Sequence, residues 1–260
     1  MPEPRPSLLA ENIGLAFIGE KPWPPAQLTA RQAKSFEAAR NPSGRPNSDV
    51  IRHLVGFDSG HLQETIQVDF PPHFTEQEAA LYLKPFSLLR AEPSTVGANL
   101  LATPQITGWL NPHAQPDLRT ALARLDRYLA TPLAAENPSW DWIDSQRPPD
   151  ATLLVIARDD DFTHGLLQSR VFAAWWHAWA RQLSPTEIVE AFPFPWPPVT
   201  LLSALTRTQE EHRLAVARSA RTGEQDSLDG AVASAYGWPG DLADEELVAN
   251  LTTLNRQRSR

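Results

Sequence analysis

Apolar residues in the first three-fifths of this chain fall in short alternating or continuous runs. In the last two-fifths they fall mostly at helical spacing. Residues 12–20, NIGLAFIGE, are apolar with glycine near each edge and read as a strand. Residues 29–48 read as a short helix broken at Asn41-Pro42, followed by a loop. SDVIRHLVGFDS has the character of a strand or turn, and residues 63–70 alternate Ile66, Val68 and Phe70, a strand pattern. TEQEAALYLKPF, residues 75–86, opens with Thr75 and Glu78 at capping-box spacing and predicts a helix up to Pro85. Residues 116–130, PDLRTALARLDRYLA, give the clearest helical pattern. Leu118, Ala121, Leu122 and Leu125 stand at i, i+3, i+4 and i+7 behind Asp117 as N-cap. Residues 139–145, SWDWIDS, predict a short strand, and ATLLVIARDD predicts a buried one, continuously apolar from Leu153 to Ala157. Residues 162–183 then read as one long helix. FPFPWPP at 192–198 suits neither a helix nor a central strand, because proline lacks the donor both need. The remainder reads as helices over roughly 200–221, 227–236 ending at Gly237, and 242–257 capped by Asp241 or Asp244. The order predicts an α+β chain: a mixed-sheet domain over 1–199 and a helical C-terminal segment over 200–260.

Composition narrows the class. With 260 residues, 42% of them hydrophobic, the chain can bury one large core or two small ones. Its 25 prolines gather at 22–25, 71–72, 148–149 and 193–198, which marks rigid connections. The absence of cysteine excludes a disulfide-stapled domain and a cysteine zinc site. No secretory pattern opens the chain and no apolar run reaches membrane-spanning length, so the expectation is a soluble cytoplasmic protein without a membrane partner. A net charge of −8 disfavours general nucleic-acid binding but leaves room for a local basic patch.

Most catalytic signatures are missing. None of the 12 glycines forms a phosphate-cradling loop, and there is no G-x-S-x-G elbow. The Asn-Pro pairs continue as NPS, NPH and NPS rather than as an Asn-Pro-Pro-aromatic loop, and no glycine loop for S-adenosylmethionine is present. His61 and Glu64 form a lone H-x-x-E, which reads best as two polar loop residues. ARDDDFTHG, from Ala157 on, has two readings. Asp160 or Asp161 caps a helix starting near Phe162 while Arg158 pairs with a neighbouring aspartate, or Asp159 to Asp161 form a metal or hydrolytic site. The second needs further ligands that the sequence does not display. Trp175, Trp176 and Trp179 form one broad stripe that reads as core, and FPFPW reads as an aromatic-proline brace.

Six stretches in order carry a resemblance: GRPNSDVIRHLVGFD, TEQEAALYLKPF, LARLDRYLATP, ATLLVIARDDDFTHGLLQSRVFAAW, VEAFPFPWP and LDGAVASAYGWPGDLADEELVANLTTLNRQR. Together they resemble the C-terminal part of the MmeI-like (type IIL and related type IIG) restriction-modification DNA adenine methyltransferases. That part is the target recognition domain and its helical tail. The resemblance implies a DNA-recognition module without its catalytic engine, with double-stranded DNA as ligand. S-adenosylmethionine is expected only on a methyltransferase catalytic subunit as partner, and the chain itself would hold no cofactor and no metal. The opening methionine suggests a separate gene product. In the family, paired residues spaced i, i+2 after the RYLATP-like strand read one base pair, and the matching positions here are Glu136 and Pro138. Glu136 can accept a hydrogen bond from cytosine N4; Pro138 has no side-chain donor and departs from the pattern. LAAENPSW lacks the basic residues usual there, and the loop expected before FPFPW is shortened to SPTEIVEA. The DNA-binding set implied is Arg45, Asn47, Arg52, Arg119, Arg124, Arg127 and Glu136. The first three are expected in a polar loop, and three of the arginines on the helix at 116–130.

Overall fold

Antiparallel ladders form the β part of the fold. The computed structural model describes residues 5–91, 108–198 and 200–259. In chain order, β1 (Ala16–Ile18) and β2 (Gln27–Leu28) precede α1 (Ala30–Glu37), and β3 (Ile51–Asp58) turns back into β4 (His61–Val68). Two short helices follow, α2 (Glu76–Ala79) and α3 (Leu83–Ala91). Next come α4 (Pro116–Leu122), β5 (Arg127–Pro132), β6 (Asp141–Asp144) and β7 (Leu153–Ile156). The rest is helical: α5 (Asp161–Gln168), α6 (Arg170–Trp179), α7 (Pro185–Glu190), α8 (Arg207–Thr222), α9 (Gln225–Tyr236) and α10 (Asp244–Arg258). The fold is α+β with a helical C-terminal segment. Among the described residues, no helix is long and apolar enough to cross a membrane.

One sheet has the order β1-β7-β5-β6 and the other β2-β4-β3. Among the described residues every ladder is antiparallel, and parallel pairing is confined to the single bridges Glu20–Asp150 and Val55–Pro149. The chain divides into two compact units. The first draws on Met1–Ile18, Asp117–Ser145 and Leu153–Arg260, the second on Gly19–Pro116 and Gln146–Thr152. The expected boundary at residue 199 falls outside the described residues.

In the first unit, Leu129, Leu154 and Ile156 meet an aromatic layer from α6 and from the FPFPW block. Trp175 and Trp179 lie 5.8 Å apart, Phe172 and Phe192 5.1 Å, and Phe162 stacks on Trp196 at 4.8 Å. The tryptophan stripe is therefore core and the FPFPW block packs as a brace. In the second unit, Phe70 is the hub, with Tyr82 at 5.9 Å and Trp109 at 5.6 Å, both edge-on. Gly56 of β3 lets the Asp150 carboxyl lie against the strand, since a Cβ there would stand 2.0 Å from Asp150 Oδ2.

Several expected elements are redrawn. The helix read over 116–130 ends at Leu122; a turn at Leu125 leads into β5. Strand β5 lies between β7 and β6, so Tyr128, Leu129 and Ala130 are all buried, and a strand buried on both faces imitates helical spacing. The single helix read over 162–183 is cut at Ser169, whose backbone is extended. Its hydroxyl donates to the Leu166 carbonyl at 2.7 Å and accepts from the Phe172 N–H at 3.4 Å, closing α5 and capping α6. The capping box of Thr75 and Glu78 forms as expected, but it starts only a single turn. Pro85 then sits in the first turn of α3, where a missing N–H costs nothing. Helix α8 begins at Arg207 behind Thr206 rather than near residue 200. Helix α10 is capped neither by Asp241 nor by Asp244: Ala243 is the N-cap, and its N–H donates to Glu246 at 2.9 Å.

Candidate nucleic-acid interface

Arg119, Arg124, Arg127 and Glu136 all belong to the first unit, along the consecutive run from α4 through β5. Arg119 lies on α4 and is half-buried; Arg124 is exposed in the turn that follows. Arg127 opens β5, not a helix, because its neighbours Tyr128 to Ala130 are consumed by sheet pairing. Glu136 is exposed in the connection between β5 and β6, as are Asn137 and Ser139.

Arg127 is held on three sides. Its guanidinium lies 3.7 Å from the centre of the Trp142 ring on β6. It donates to the Asp159 carbonyl at 3.2 and 3.3 Å, and to Asp161 Oδ1 at 2.7 Å. Asp161 also accepts from Arg221 Nε of α8 at 2.6 Å. Burial pushes the Asp161 carboxyl up, but hydrogen bonds from Arg221 and Arg127 outweigh it and hold the group below its ordinary value. Beside it, His164 Nε2 lies 3.1 Å from the Trp140 carbonyl oxygen, which can only accept, so that nitrogen carries the proton. Burial lowers the His164 pKa. The network ties the open end of the β5–β6 hairpin to α5 and α8.

The aspartate run resolves into separate tasks. Asp160 is the N-cap of α5 and accepts from the Thr163 N–H at 2.8 Å. Arg158 pairs with the same residue at 2.9 Å, rather than with a neighbour. Among the described residues, no group of three His, Cys, Asp or Glu side chains could hold a metal ion.

Arg45, Asn47 and Arg52 belong to the second unit. Arg45 is exposed beside the Tyr82 hydroxyl, and that interaction, with Asp49 and Glu78 nearby, raises its pKa. Arg52 is on β3 rather than in a loop, 3.7 Å from buried Asp69. Asn47 is fully buried. Its amide donates to the Phe36 carbonyl at 2.7 Å and its oxygen accepts from Asn41 at 2.8 Å. Asn47 thus braces the turn between α1 and β3 and offers no surface to a ligand. Sequence reasoning missed Trp142, Asp161 and Arg221 as the supports of Arg127. Arg221 is 60 residues from Asp161, so no local pattern announces the pair.

No family model and no curated protein matches the chain. Its backbone, however, superposes on a solved structure of the Type IIL restriction-modification enzyme MmeI in complex with DNA, with a TM-score of 0.54 over 99% of this chain. The fold is related to that of MmeI. Sequence identity is 16%, so the likeness to MmeI is one of fold. The chain spans 36% of the length of the MmeI chain it matches.

Proposed function

We propose that this chain is a DNA sequence-recognition module of an adenine-specific restriction-modification methyltransferase. The catalytic core and its S-adenosylmethionine would lie outside these residues, on a methyltransferase partner. The reading is carried by one observation: nearly the whole chain shares its fold with MmeI, which was solved in complex with DNA. The exposed Glu136 connection on a braced hairpin supports it, because a base reader needs a rigid base and a free tip. In this reading Glu136 accepts from cytosine N4 in the major groove, while Arg45, Arg52, Arg119, Arg124 and Arg127 contact phosphates. Asn47 supports the loop that carries Arg45 rather than touching DNA. The recognition role is assigned to residues 1–199 and a supporting role to the helical segment 200–260, in a protein acting in the cytoplasm.

A second reading, a protein-interaction module, draws on Leu201 and Leu202, exposed at 73% and 65% beside a cavity of about 390 Å³ floored by Phe162, Phe194 and Trp196. A fluorescence-anisotropy titration at low salt with duplexes of varied sequence separates the two. The DNA reading expects binding whose preference at one base pair weakens by about 1–3 kcal/mol in Glu136→Ala, with non-specific affinity unchanged. No detectable binding by the wild-type chain leaves a degenerate remnant that no longer binds DNA, or the interaction module, as the better reading.

A further inference from the structure

Helix α1 buries Ala33 in the core of the second unit and exposes Arg31 and Lys34. Residues three and four apart are neighbours on a helix surface, so both Lys34 and Ser35 adjoin Arg31. Lys84 reaches over from α3 and donates to the Ser35 carbonyl and hydroxyl oxygens, each at 3.0 Å. Its aliphatic stem brings the ammonium to 5.7 Å from the centre of the Phe36 ring. Arg31 thus lies between Lys34 on one side and the Ser35-anchored Lys84 on the other, three cations from two helices around the exposed side of α1. Among the described residues, no carboxylate stands within ion-pair distance of any of them. Glu37, the one acid on α1, is turned to His53 Nε2 at 3.6 Å. Several exposed arginines elsewhere are compensated, as in Arg90–Glu76, Arg207–Glu211 and Arg221–Asp161. The first turn of α1 also holds no acid, so the positive end of the helix dipole adds to Arg31 instead of being offset. Grouped like charges repel at a small cost, which a polyanion relieves.

We propose that this face of α1, with Arg31, Lys34 and the Ser35-anchored Lys84, is a phosphate-backbone contact for duplex DNA. The surface rests on the DNA-recognition reading above and adds its sequence-independent part. Arg31 and Lys34 are separated by roughly 4.5 Å of helix rise, comparable to the rise between successive phosphates of one strand. None of the three faces a base-specific task, since charge contacts to phosphate carry register rather than sequence.

The test is a salt series of anisotropy titrations on the whole protein with a random-sequence duplex. The triple variant R31Q/K34Q/K84Q is compared with R181Q/R218Q/R256Q, which removes the same charge from exposed arginines of the first unit. If each cation meets one phosphate, the triple variant flattens the slope of log K against log salt by about 2.7, and K34Q alone by about 0.9. The control triple keeps the wild-type slope. Glutamine at 84 retains a donor for Ser35 and the residues are exposed, so melting temperatures should match; K34Q, at a side chain with no ion pair or hydrogen bond among the described residues, gives the result independently if the triple variant is unstable. A wild-type slope in R31Q/K34Q/K84Q, or equal flattening in the control, overturns this surface while leaving recognition intact. Absence of duplex binding by the wild type removes the recognition reading and this surface with it.

Discussion

At the scale of the residue, Asp160 shows what one carboxylate does at a helix start. It accepts from the Thr163 N–H at 2.8 Å and from the Thr163 hydroxyl at 2.9 Å, and pairs with Arg158. Asp160→Ala is expected to cost about 0.5–2 kcal/mol in urea unfolding, with duplex affinity of the folded protein unchanged. Lost magnesium-dependent activity with an unaltered midpoint would instead revive a catalytic role for the aspartate run. The cap was legible because it is local: an acid before a helical run meets unpaired N–H groups and the positive dipole end. The role of Asp161 was not, because its two arginines come from β5 and α8. Asn47 failed in the other direction. A polar residue in a Pro- and Gly-rich loop looks exposed, yet its amide is spent on Phe36 and Asn41 and the residue is fully buried.

At the scale of the element, the packing of α5 on α8 depends on Gly165. A Cβ there would stand 2.8 Å from Val216 Cγ1, 3.1 Å from the Ala220 Cβ and 3.1 Å from Leu228 Cδ1. Alanine gains about 1 kcal/mol of helix propensity over glycine, but the Ala220 Cβ cannot swing aside and Val216 is stiff at χ1. Overpacking of this kind costs about 1–3 kcal/mol, so Gly165→Ala should lower stability or at best leave it unchanged. A clear rise in the unfolding midpoint would show that the helices separate freely. The alternating strand β4 and the capping box at Thr75 were visible in the sequence, since alternation and capping boxes are short-range signals. The break at Ser169 and the strand β5 were not. A one-residue cap inside an apolar run and a strand buried on both faces keep the spacing of a continuous helix. For the candidate interface this mattered directly, because it moved Arg127 from a helix face to the base of the hairpin that carries Glu136.

At the scale of the whole molecule, stability against pH gathers these local arrangements into one measurable curve. His164 is held below its ordinary value of 6.5, first by burial and against the hydrogen bond to the Trp140 carbonyl. Its neutral form is therefore favoured in the fold. The contribution is complete above 6.5, where both folded and unfolded imidazoles are neutral, and is lost as pH falls toward the folded value. Asp161 is held below 3.8 by Arg221 and Arg127 against its own burial. Its contribution is complete above 3.8 and is lost as pH falls through the lower folded value. Glu78, Glu187 and Glu210 are lowered too, by Thr75, Ser184 and Arg213 respectively, so the carboxylate limb is shared. Melting temperature should thus fall in two stages on acidification, an imidazole stage and then a carboxylate stage. His164→Gln, which keeps a neutral donor toward the Trp140 carbonyl, should flatten the first stage and leave the second. Asp161→Asn should lower stability at neutral pH and blunt only part of the second. Calorimetric scans across about pH 7 to pH 2 read both limbs. An unchanged first stage in His164→Gln would mean that the buried imidazole does not set it.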